Sequence, residues 1–398
     1  MKDLYDTLSR KVNKYRVKYC DKPVIACLSL ISYLSGKLFS IMFSNHKRKV
    51  ISSKSLKIGF YLWGGLGDAL INLNYICYLK KYLQSEQLII DLYLEKSSFA
   101  EFAKDIEYID NYYVGENYNI YDYDIFISQL AFPRLLRFDS KTVSEKSSLA
   151  FDLFKKYKKF NDDNYKIISG EPYFIPMGEK LSLIQERKRI QQADINGILG
   201  MNEDFILPVK INDNEQILEK FGLKNKEFIT MNRCAGSISD CHTKLWSVEN
   251  YNTLIKLLKE KYSDIVIVQI GDDKTPELLT DADINLVGKT NLEELKVILK
   301  ASKLHIDSEG GLVHLRKALN GGMSVVLFGP TSKEFFGYSS NINIKAEGAC
   351  AGDCQWLSDN WDSLCLKTMS NNNVCMKAIE PKEVFEQINQ KIKYKNRG

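Results

Sequence analysis

The stretch Lys57–Leu79, KIGFYLWGGLGDALINLNYICYL, decides the fold. The apolar run up to Leu62 predicts a buried strand, and apolar residues at helical spacing predict a helix over residues 69–83. The three glycines between them allow a sharp turn and let a ligand approach the backbone; they are Gly64, Gly65 and Gly67. Asp68 lies where the helix presents its unpaired N–H groups. It is therefore either a cap of the helix or a group that acts on a ligand, and both readings stay open.

Further strands and helices alternate along the chain in two series. Strands are predicted over residues 56–62, 88–94, 124–130, 228–233, 264–271 and 324–331, and helices over residues 248–262 and 291–302. A connection rich in Tyr, Asn and Asp precedes residue 124, and residues 140–190 show little periodicity. The alternation predicts an α/β fold with two facing, doubly wound, Rossmann-like domains over residues 51–210 and 211–398. Ligands are expected in the cleft between the carboxyl ends of the two sets of strands.

Composition and charge narrow the class of protein. The chain has 398 residues, 44% of them hydrophobic and 26% charged, with a formal net charge of +5. It contains no long Lys/Arg block, so no nucleic-acid partner is expected. Residues 1–22 are polar and charged and lack the apolar core of a secretion signal, which favours the cytoplasm.

Residues 1–50 form a predicted helical extension in front of the first domain. Its apolar part, Pro23–Phe43, has the length of a bilayer span and lies between basic flanks. Lys37 and a recurring series of serines interrupt it. Three readings stay open: a helix packed on its own protein or on a partner subunit, a helix peripheral at the inner membrane face, or a true span.

A second glycine turn is expected in the carboxyl-terminal half. In DSEGGLVHLRKAL, residues 307–319, a strand ends at Asp307 and Ser308, Gly310 and Gly311 make the turn, and a helix follows. His314 falls in the first turn of that helix, where it is either a half-buried helix residue or a site residue. Backbone N–H groups at such a turn suit phosphate oxygens.

A polar loop, NRCAGSISDCHTKLW at residues 232–246, follows the first strand of this half. Its side chains are suited to bind phosphates and to contact a nucleotide base. A loop of this polarity is also typical of a solvent-exposed connection without a binding role. The candidate donor-binding residues here are Asn232, Arg233, Ser237 and Lys244.

These motifs together resemble glycosyltransferase family 9, the ADP-heptose heptosyltransferases. The resemblance rests on GGLGDAL, Lys244-Leu245-Trp246, residues 288–292 (GKTNL), DSEGGLVHLRKAL and VVLFGPT, in that order. It implies the GT-B fold, a catalytic base at Asp68 and an acceptor path to that base along Gly64, Gly65 and Gly67. It also implies that Lys244 contacts the donor diphosphate and that a donor site is formed by Asp307, Gly310, Gly311 and His314.

The chain departs from the family's pattern at two positions. Glu309 is an insertion or a substitution in the donor loop, where common family members have an Asp-Thr-Gly turn, and Arg316 replaces a usual alanine.

No metal is expected to be required for catalysis, because Lys244 and a helix amino terminus can stabilise a leaving diphosphate. The resemblance implies that the reaction inverts the configuration at the anomeric carbon.

Four cysteines cluster near the carboxyl terminus: Cys350, Cys354, Cys365 and Cys375. In a reducing compartment they fit a structural zinc or iron site, with disulfides or free thiols as alternatives. The family that the motifs resemble includes a subgroup that heptosylates autotransporter proteins and has an iron-binding cysteine cluster.

The leading function is transfer of a heptose-like sugar to a hydroxyl in lipopolysaccharide or surface-glycan synthesis. The alternatives are O-heptosylation of an autotransporter-type protein, in which the extension would build a homo-oligomer, and a non-catalytic glycan-binding scaffold. An epimerase or a dehydrogenase is disfavoured, because the acid/base pairs of the first and the acidic ribose-binding residue of the second are not recognised in the sequence.

Overall fold

The computed structural model describes residues 54–395, except 169–174, 206, 212–213, 234–241, 274–276, 349, 351–352 and 359–360. The predicted extension, including Pro23–Phe43, and Ser237 lie outside the described residues. Within the described part of the chain, no helix is both long enough and apolar enough to cross a membrane.

The amino-terminal sheet has five strands in the order β3-β2-β1-β4-β5, all parallel except β5. The strands are β1 Leu56–Leu62, β2 Leu88–Leu94, β3 Asn111–Val114, β4 Ile125–Gln129 and β5 Pro133–Phe138. The helices are α1 Leu66–Tyr82, α2 Ser97–Ala103, α3 Ser140–Lys146, α4 Ser148–Asp163, α5 Tyr165–Ile168 and α6 Ile175–Ile184.

The carboxyl-terminal sheet has six parallel strands in the order β11-β10-β9-β6-β7-β8. They are β6 Phe228–Asn232, β7 Val266–Ile270, β8 Ile284–Asn285, β9 Leu304–Ser308, β10 Ser324–Leu327 and β11 Ile342–Ile344. The helices are α7 Asn214–Lys220, α8 Val248–Lys261, α9 Leu292–Ala301, α10 Gly311–Ala318, α11 Lys333–Phe336, α12 Val374–Lys377 and α13 Pro381–Lys395.

Both sheets have their topological switch point beside their first strand, between β1 and β4 and between β6 and β9. Open α/β sheets bind ligands at this point, outside the carboxyl ends of the strands. The two glycine turns follow β1 and β9, so each lies at a switch point. The predicted doubly wound architecture is therefore confirmed, while the domain boundary near residue 210 stays a prediction.

Four strands differ from the expectations, because the sequence analysis predicts no strand at β3, β5, β8 or β11. β3 lies within the segment that the sequence analysis treats as a connection, and β5 follows β4 antiparallel at the sheet edge. Residues of β3 are half-buried or exposed, so they lack the apolar run that marks β1 and β2. A strand that is not buried on both faces lacks the continuous apolar run by which buried strands are recognised in a sequence.

Arg316 has a structural role that the sequence did not suggest. Its side chain is fully buried, and burial lowers its pKa to about 10. The guanidinium donates to the carbonyl oxygens of Leu299, Ser302 and Met323 and to the Ser302 hydroxyl. It thereby satisfies carbonyls at the carboxyl end of α9, where a cation is also favoured by the helix dipole.

Candidate active site

The two helices that follow the glycine turns meet across the cleft. A Cβ on Gly67 would lie 2.5 Å from Cδ2 of His314, and a Cβ on Gly311 would lie 3.1 Å from Cβ of Leu66. The amino termini of α1 and α10 therefore approach closely: a side chain at Gly67 would force His314 to move, and one at Gly311 would fit only if its neighbours shifted slightly. Gly67, predicted to border an acceptor path, packs against the other domain.

Asp68 is the third residue of α1, and Gly65 is the N-cap. Its Oδ2 accepts the Gly65 backbone N–H at 3.0 Å, so it does contribute to capping, from the N3 position. Its Oδ1 accepts from Nη2 of Arg189 at 2.6 Å. The carboxylate is held by both contacts, yet 33% of the side chain is exposed, which leaves it accessible from the cleft.

The loop in front of α1 is fixed by residues after β2. Gly64 has a φ of 108°, in the region that favours glycine. Its N–H donates to the Glu95 carboxylate at 3.3 Å, and its carbonyl accepts from Nζ of Lys96 at 2.7 Å. The turn is thus held from both sides.

His314 is buried at the junction of α1 and α10. Its Nδ1 lies 2.6 Å from the hydroxyl of Tyr338. Burial lowers the pKa of the imidazole to about 4, against the opposing effect of the Glu309 carboxylate. The ring is therefore neutral at pH 7 and can offer or accept one hydrogen bond without adding charge.

Lys244 and Glu309 form a tight pair in the donor loop. Nζ of Lys244 lies 2.5 Å from Oε2 of Glu309, and both side chains are mostly buried. The Ser308 hydroxyl donates to the Lys244 carbonyl at 2.7 Å. Glu309 thus places the lysine directly over the turn that leads into α10, beside the ring of Trp361.

Asn232 and Asp307 lie beneath this loop in a buried polar network. Nδ2 of Asn232 donates to both carboxylate oxygens of Asp307, at 3.0 and 3.1 Å. His305 lies 3.3 Å from the same carboxylate. Burial raises the pKa of Asp307, although His305 and Asn232 oppose the shift. These side chains support the loop from below.

Arg233 is also directed into the protein. Its Nε donates to the Trp246 carbonyl at 3.1 Å, and its Nη2 pairs with Glu277 at 3.0 Å. The predicted donor residues therefore divide into two groups. Lys244, Ser308, Glu309, Gly310, Gly311 and His314 surround the start of α10. The others lie apart from it: Asn232 and Asp307 form the buried network, and Arg233 contacts Trp246 and Glu277.

The four predicted metal-ligating cysteines line one cavity of about 330 Å³ next to the 3₁₀ turn that contains Lys244. Burial raises the pKa of the Cys375 thiol, and the neighbouring Cys350, Cys354 and Cys365 raise it further. In the part of the chain that the structure describes, no three Cys, His, Asp or Glu side chains converge closely enough to hold an ion as placed.

Glu179 on α6 connects the two domains and was not recognised in the sequence. Its Oε2 accepts from Nε2 of Gln355 at 2.7 Å and from Nε1 of Trp356 at 2.8 Å. Burial raises the pKa of the carboxyl group to about 7, although the hydrogen bond from Trp356 and the charge of Arg189 oppose the shift.

Glu179 makes the stability of the protein pH-dependent. The folded state holds a proton on this group between its ordinary pKa of 4.5 and about 7, so stability falls as pH rises through that window. We expect Glu179→Gln to remove this pH-dependent loss of stability, which is about 3 kcal/mol over the window at about 1.4 kcal/mol per pKa unit. Thermal unfolding of wild type and Glu179→Gln from pH 4.5 to 8 measures the difference in stability. If the two plots of stability against pH run parallel, the carboxyl group titrates normally and the prediction is wrong.

Arg189 and Tyr338 are further site residues that the sequence analysis missed. Arg189 stands in a charge-rich segment without periodicity, ERKRIQQ, where nothing distinguishes it from solvated neighbours. Tyr338 lies beyond the recognised motifs. Both reach the site only through long-range packing.

The carboxyl-terminal domain matches a family model. Residues 204–355 match the model for glycosyltransferase family 9 (heptosyltransferase). That range includes the described loop residues Asn232, Lys244 and Glu309 and all of α10. The sequence matches no curated protein.

Solved structures show the same fold at low sequence identity. ADP-heptose lipopolysaccharide heptosyltransferase II from E. coli is 17% identical with a TM-score of 0.52, over 84% of this chain and 98% of that chain. The iron-containing dodecameric glycosyltransferase TibC from enterotoxigenic E. coli is 14% identical with a TM-score of 0.55, over 84% of this chain and 76% of that chain. A second TibC structure, described as a heptosyltransferase in complex with ADP-D-β-D-heptose, is 12% identical with a TM-score of 0.53. The match covers 86% of this chain and 80% of that chain.

The fold and the family match agree with the resemblance inferred from the motifs, which is confirmed. The chain is a GT-B glycosyltransferase that carries a family 9 (heptosyltransferase) domain at residues 204–355.

Proposed function

We propose that the protein transfers a heptose from ADP-heptose to a hydroxyl acceptor at the junction of α1 and α10. One observation carries the proposal: an accessible carboxylate, Asp68, lies at one helix start, and Lys244 and the backbone N–H groups of α10 lie at the facing one. A base and a set of diphosphate-binding groups thus face each other across the cleft. The family match and the TibC complex with ADP-heptose support this donor.

The reaction follows from this arrangement. Asp68 accepts the proton of the acceptor hydroxyl while the acceptor oxygen forms its bond to the anomeric carbon. The bond from that carbon to the diphosphate breaks, and its electron pair leaves on the diphosphate oxygen. Lys244 and the positive end of α10 stabilise this charge. Attack opposite the leaving group inverts the anomeric configuration.

Neutral His314 and the buried network under the donor loop have supporting roles in this mechanism. His314 holds the two helix starts together and keeps a polar, uncharged edge next to Gly67. Asn232 and Asp307 keep the end of β9 in place, so that the turn at Gly310 and Gly311 presents its N–H groups in a fixed direction.

Calorimetric titration with a panel of nucleotide sugars tests the donor. We expect ADP-heptose to bind at least tenfold more tightly than UDP-, GDP- or CMP-linked sugars, because the family 9 domain supplies the donor site. Free ADP serves as the control for the nucleotide half. Equal affinity for all donors, or binding of none, would contradict the assignment.

For the acceptor we propose a sugar hydroxyl of a lipopolysaccharide or surface-glycan core. The basic flanks of the predicted extension favour this acceptor, because they would bring the enzyme to the inner face of an anionic membrane. The second candidate is a protein hydroxyl of the autotransporter type. The four-cysteine cavity favours it, since TibC is described as iron-containing and dodecameric.

We further propose a structural zinc or iron ion bound by the four cysteine thiolates. The four side chains line one cavity. Four cysteine sulfurs suit a tetrahedral zinc site or an iron site, and binding of the metal itself deprotonates the thiols. A bound ion would draw the sulfurs closer and fix the loop that contains Trp361; catalysis does not require it.

Metal analysis of the purified full-length protein tests this site. We expect about one zinc or iron per chain, and expect Cys375→Ser to lower the content at least fivefold and to lower the melting temperature by several degrees, because a tetrahedral site loses a ligand. Cys77→Ser, outside the cluster, is the matched control. A metal-free wild type with unchanged stability in chelator would contradict the proposal.

A further inference from the structure

Arg189 lies on a turn that both domains hold in place. It opens the 3₁₀ helix Arg189–Gln191, in which the Gln191 side chain accepts the Lys188 backbone N–H at 3.2 Å. Nζ of Lys188 donates to the Gly337 carbonyl at 2.9 Å and pairs with Glu203 at 2.8 Å. Because Gly337 belongs to the carboxyl-terminal half, the position of Arg189 depends on the contact between the two halves.

The guanidinium group of Arg189 makes two contacts through a single nitrogen. Nη2 donates to Oδ1 of Asp68 at 2.6 Å and to the Leu130 carbonyl at 2.8 Å. The side chain is 7% exposed, so the ion pair is shielded from water on the arginine side. A partly buried, charge-assisted bond of this kind fixes the orientation of a carboxylate.

The other terminal nitrogen of Arg189, Nη1, differs from Nη2 in its hydrogen bonding. Nη1 is buried and has no hydrogen-bond partner among the described residues. Leaving a buried donor of a charged group unsatisfied is costly, and native proteins rarely do so without a reason. The charge of Arg189 acts on Glu179, His314 and Tyr338, which places the group at the junction of α1 and α10. A ligand oxygen that displaces the side chains covering Nη1 would satisfy this donor.

We propose that Arg189 is a positioning and acceptor-binding residue of the transferase. Through Nη2 it holds the Asp68 carboxylate, and through Nη1 it donates to an oxygen of the acceptor next to the reacting hydroxyl. This role rests on the proposed function. The acceptor is favoured over the donor diphosphate, because Arg189 and Asp68 lie in the amino-terminal half, whereas Lys244 and α10 lie in the other.

Steady-state release of ADP from ADP-heptose tests the role, with deacylated lipopolysaccharide core oligosaccharide as acceptor and, separately, with water alone. We expect Arg189→Lys to raise the acceptor KM at least tenfold, because an ammonium cannot bridge two oxygens as the guanidinium fork does. We expect Arg189→Ala to lower kcat at least 100-fold in both reactions, with partial rescue by added guanidinium. The donor Kd should change less than threefold in either variant.

Arg137→Lys is the matched control, since Arg137 forms a similar ion pair with Asp139 at 2.7 Å on β5, away from the carboxyl ends of the strands. It should leave both reactions unchanged. A rise in donor Kd with unchanged acceptor KM would assign Nη1 to the diphosphate and overturn the proposal. Loss of activity without guanidinium rescue, together with a lowered melting temperature, would show a purely structural role.

The two proposals fail in different ways. If the wild type releases no ADP with either acceptor, the proposed function fails, and this role fails with it. If the wild type is active and the Arg189 variants match it, only the role of Arg189 is overturned.

Discussion

Asp68→Asn is expected to lower kcat about 10² to 10⁴-fold while the donor Kd stays within about twofold of wild type. The amide is nearly the same size and its oxygen can still accept the Gly65 N–H, so the start of α1 is retained. It cannot take the proton of the acceptor hydroxyl. Because Asp68 lies in the half opposite to Lys244, its loss removes the base and leaves the diphosphate site intact.

Asp139→Asn is the control for this variant. Asp139 is 30% exposed, pairs with Arg137 and accepts the N–H of Thr142 at the start of α3. It therefore reproduces the exposure, the arginine partner and the capping role of Asp68 without lying in the cleft. Equal turnover by Asp68→Asn and wild type would reduce Asp68 to a helix-capping residue. Loss of donor binding would place it in the donor site instead.

Lys244→Met is expected to weaken donor binding about 10- to 100-fold, which corresponds to the 1.5–3 kcal/mol of a charge-assisted hydrogen bond. The lysine is 13% exposed and Glu309 is 10% exposed, so the substitution also leaves a carboxylate unpaired near the diphosphate. Repulsion from this carboxylate adds to the loss. Calorimetric titration with ADP measures the effect without requiring an acceptor.

Glu309→Gln distinguishes the two contributions. We expect it to bind ADP as tightly as the wild type or more tightly, since Lys244 no longer pairs with a carboxylate and remains charged. Lys303→Met, which breaks an exposed pair with Glu227 before β9, should leave the Kd unchanged. Unchanged ADP affinity in Lys244→Met would show that the lysine serves only to hold the donor loop through Glu309.

The central strands and the glycine turns could be predicted from the sequence because their signals are local. β1 is mostly buried, so its sequence is largely apolar, and Gly64 needs a positive φ that other residues rarely adopt. The predicted helices over 248–262 and 291–302 differ from α8 and α9 by a residue at most. Asn291 and Ser247 both cap these helices through their side chains.

The site's remaining parts depend on contacts between distant segments. Arg189 meets Asp68 across 121 residues of chain, and Glu179 meets Trp356 across 177. No local pattern encodes such pairs. The same limit applies to Glu309: the sequence shows an extra carboxylate in the donor loop, but only the fold shows that it pairs with Lys244.

The most direct test of the account is ADP release from ADP-heptose by the full-length protein, measured together with incorporation of labelled sugar into core oligosaccharide, for wild type and Asp68→Asn. We predict that wild type releases one ADP per sugar transferred and that the variant binds the donor but releases at least 100-fold less ADP. Equal release by both proteins, or no release by wild type at saturating donor and acceptor, would contradict a transferase that uses Asp68 as its base.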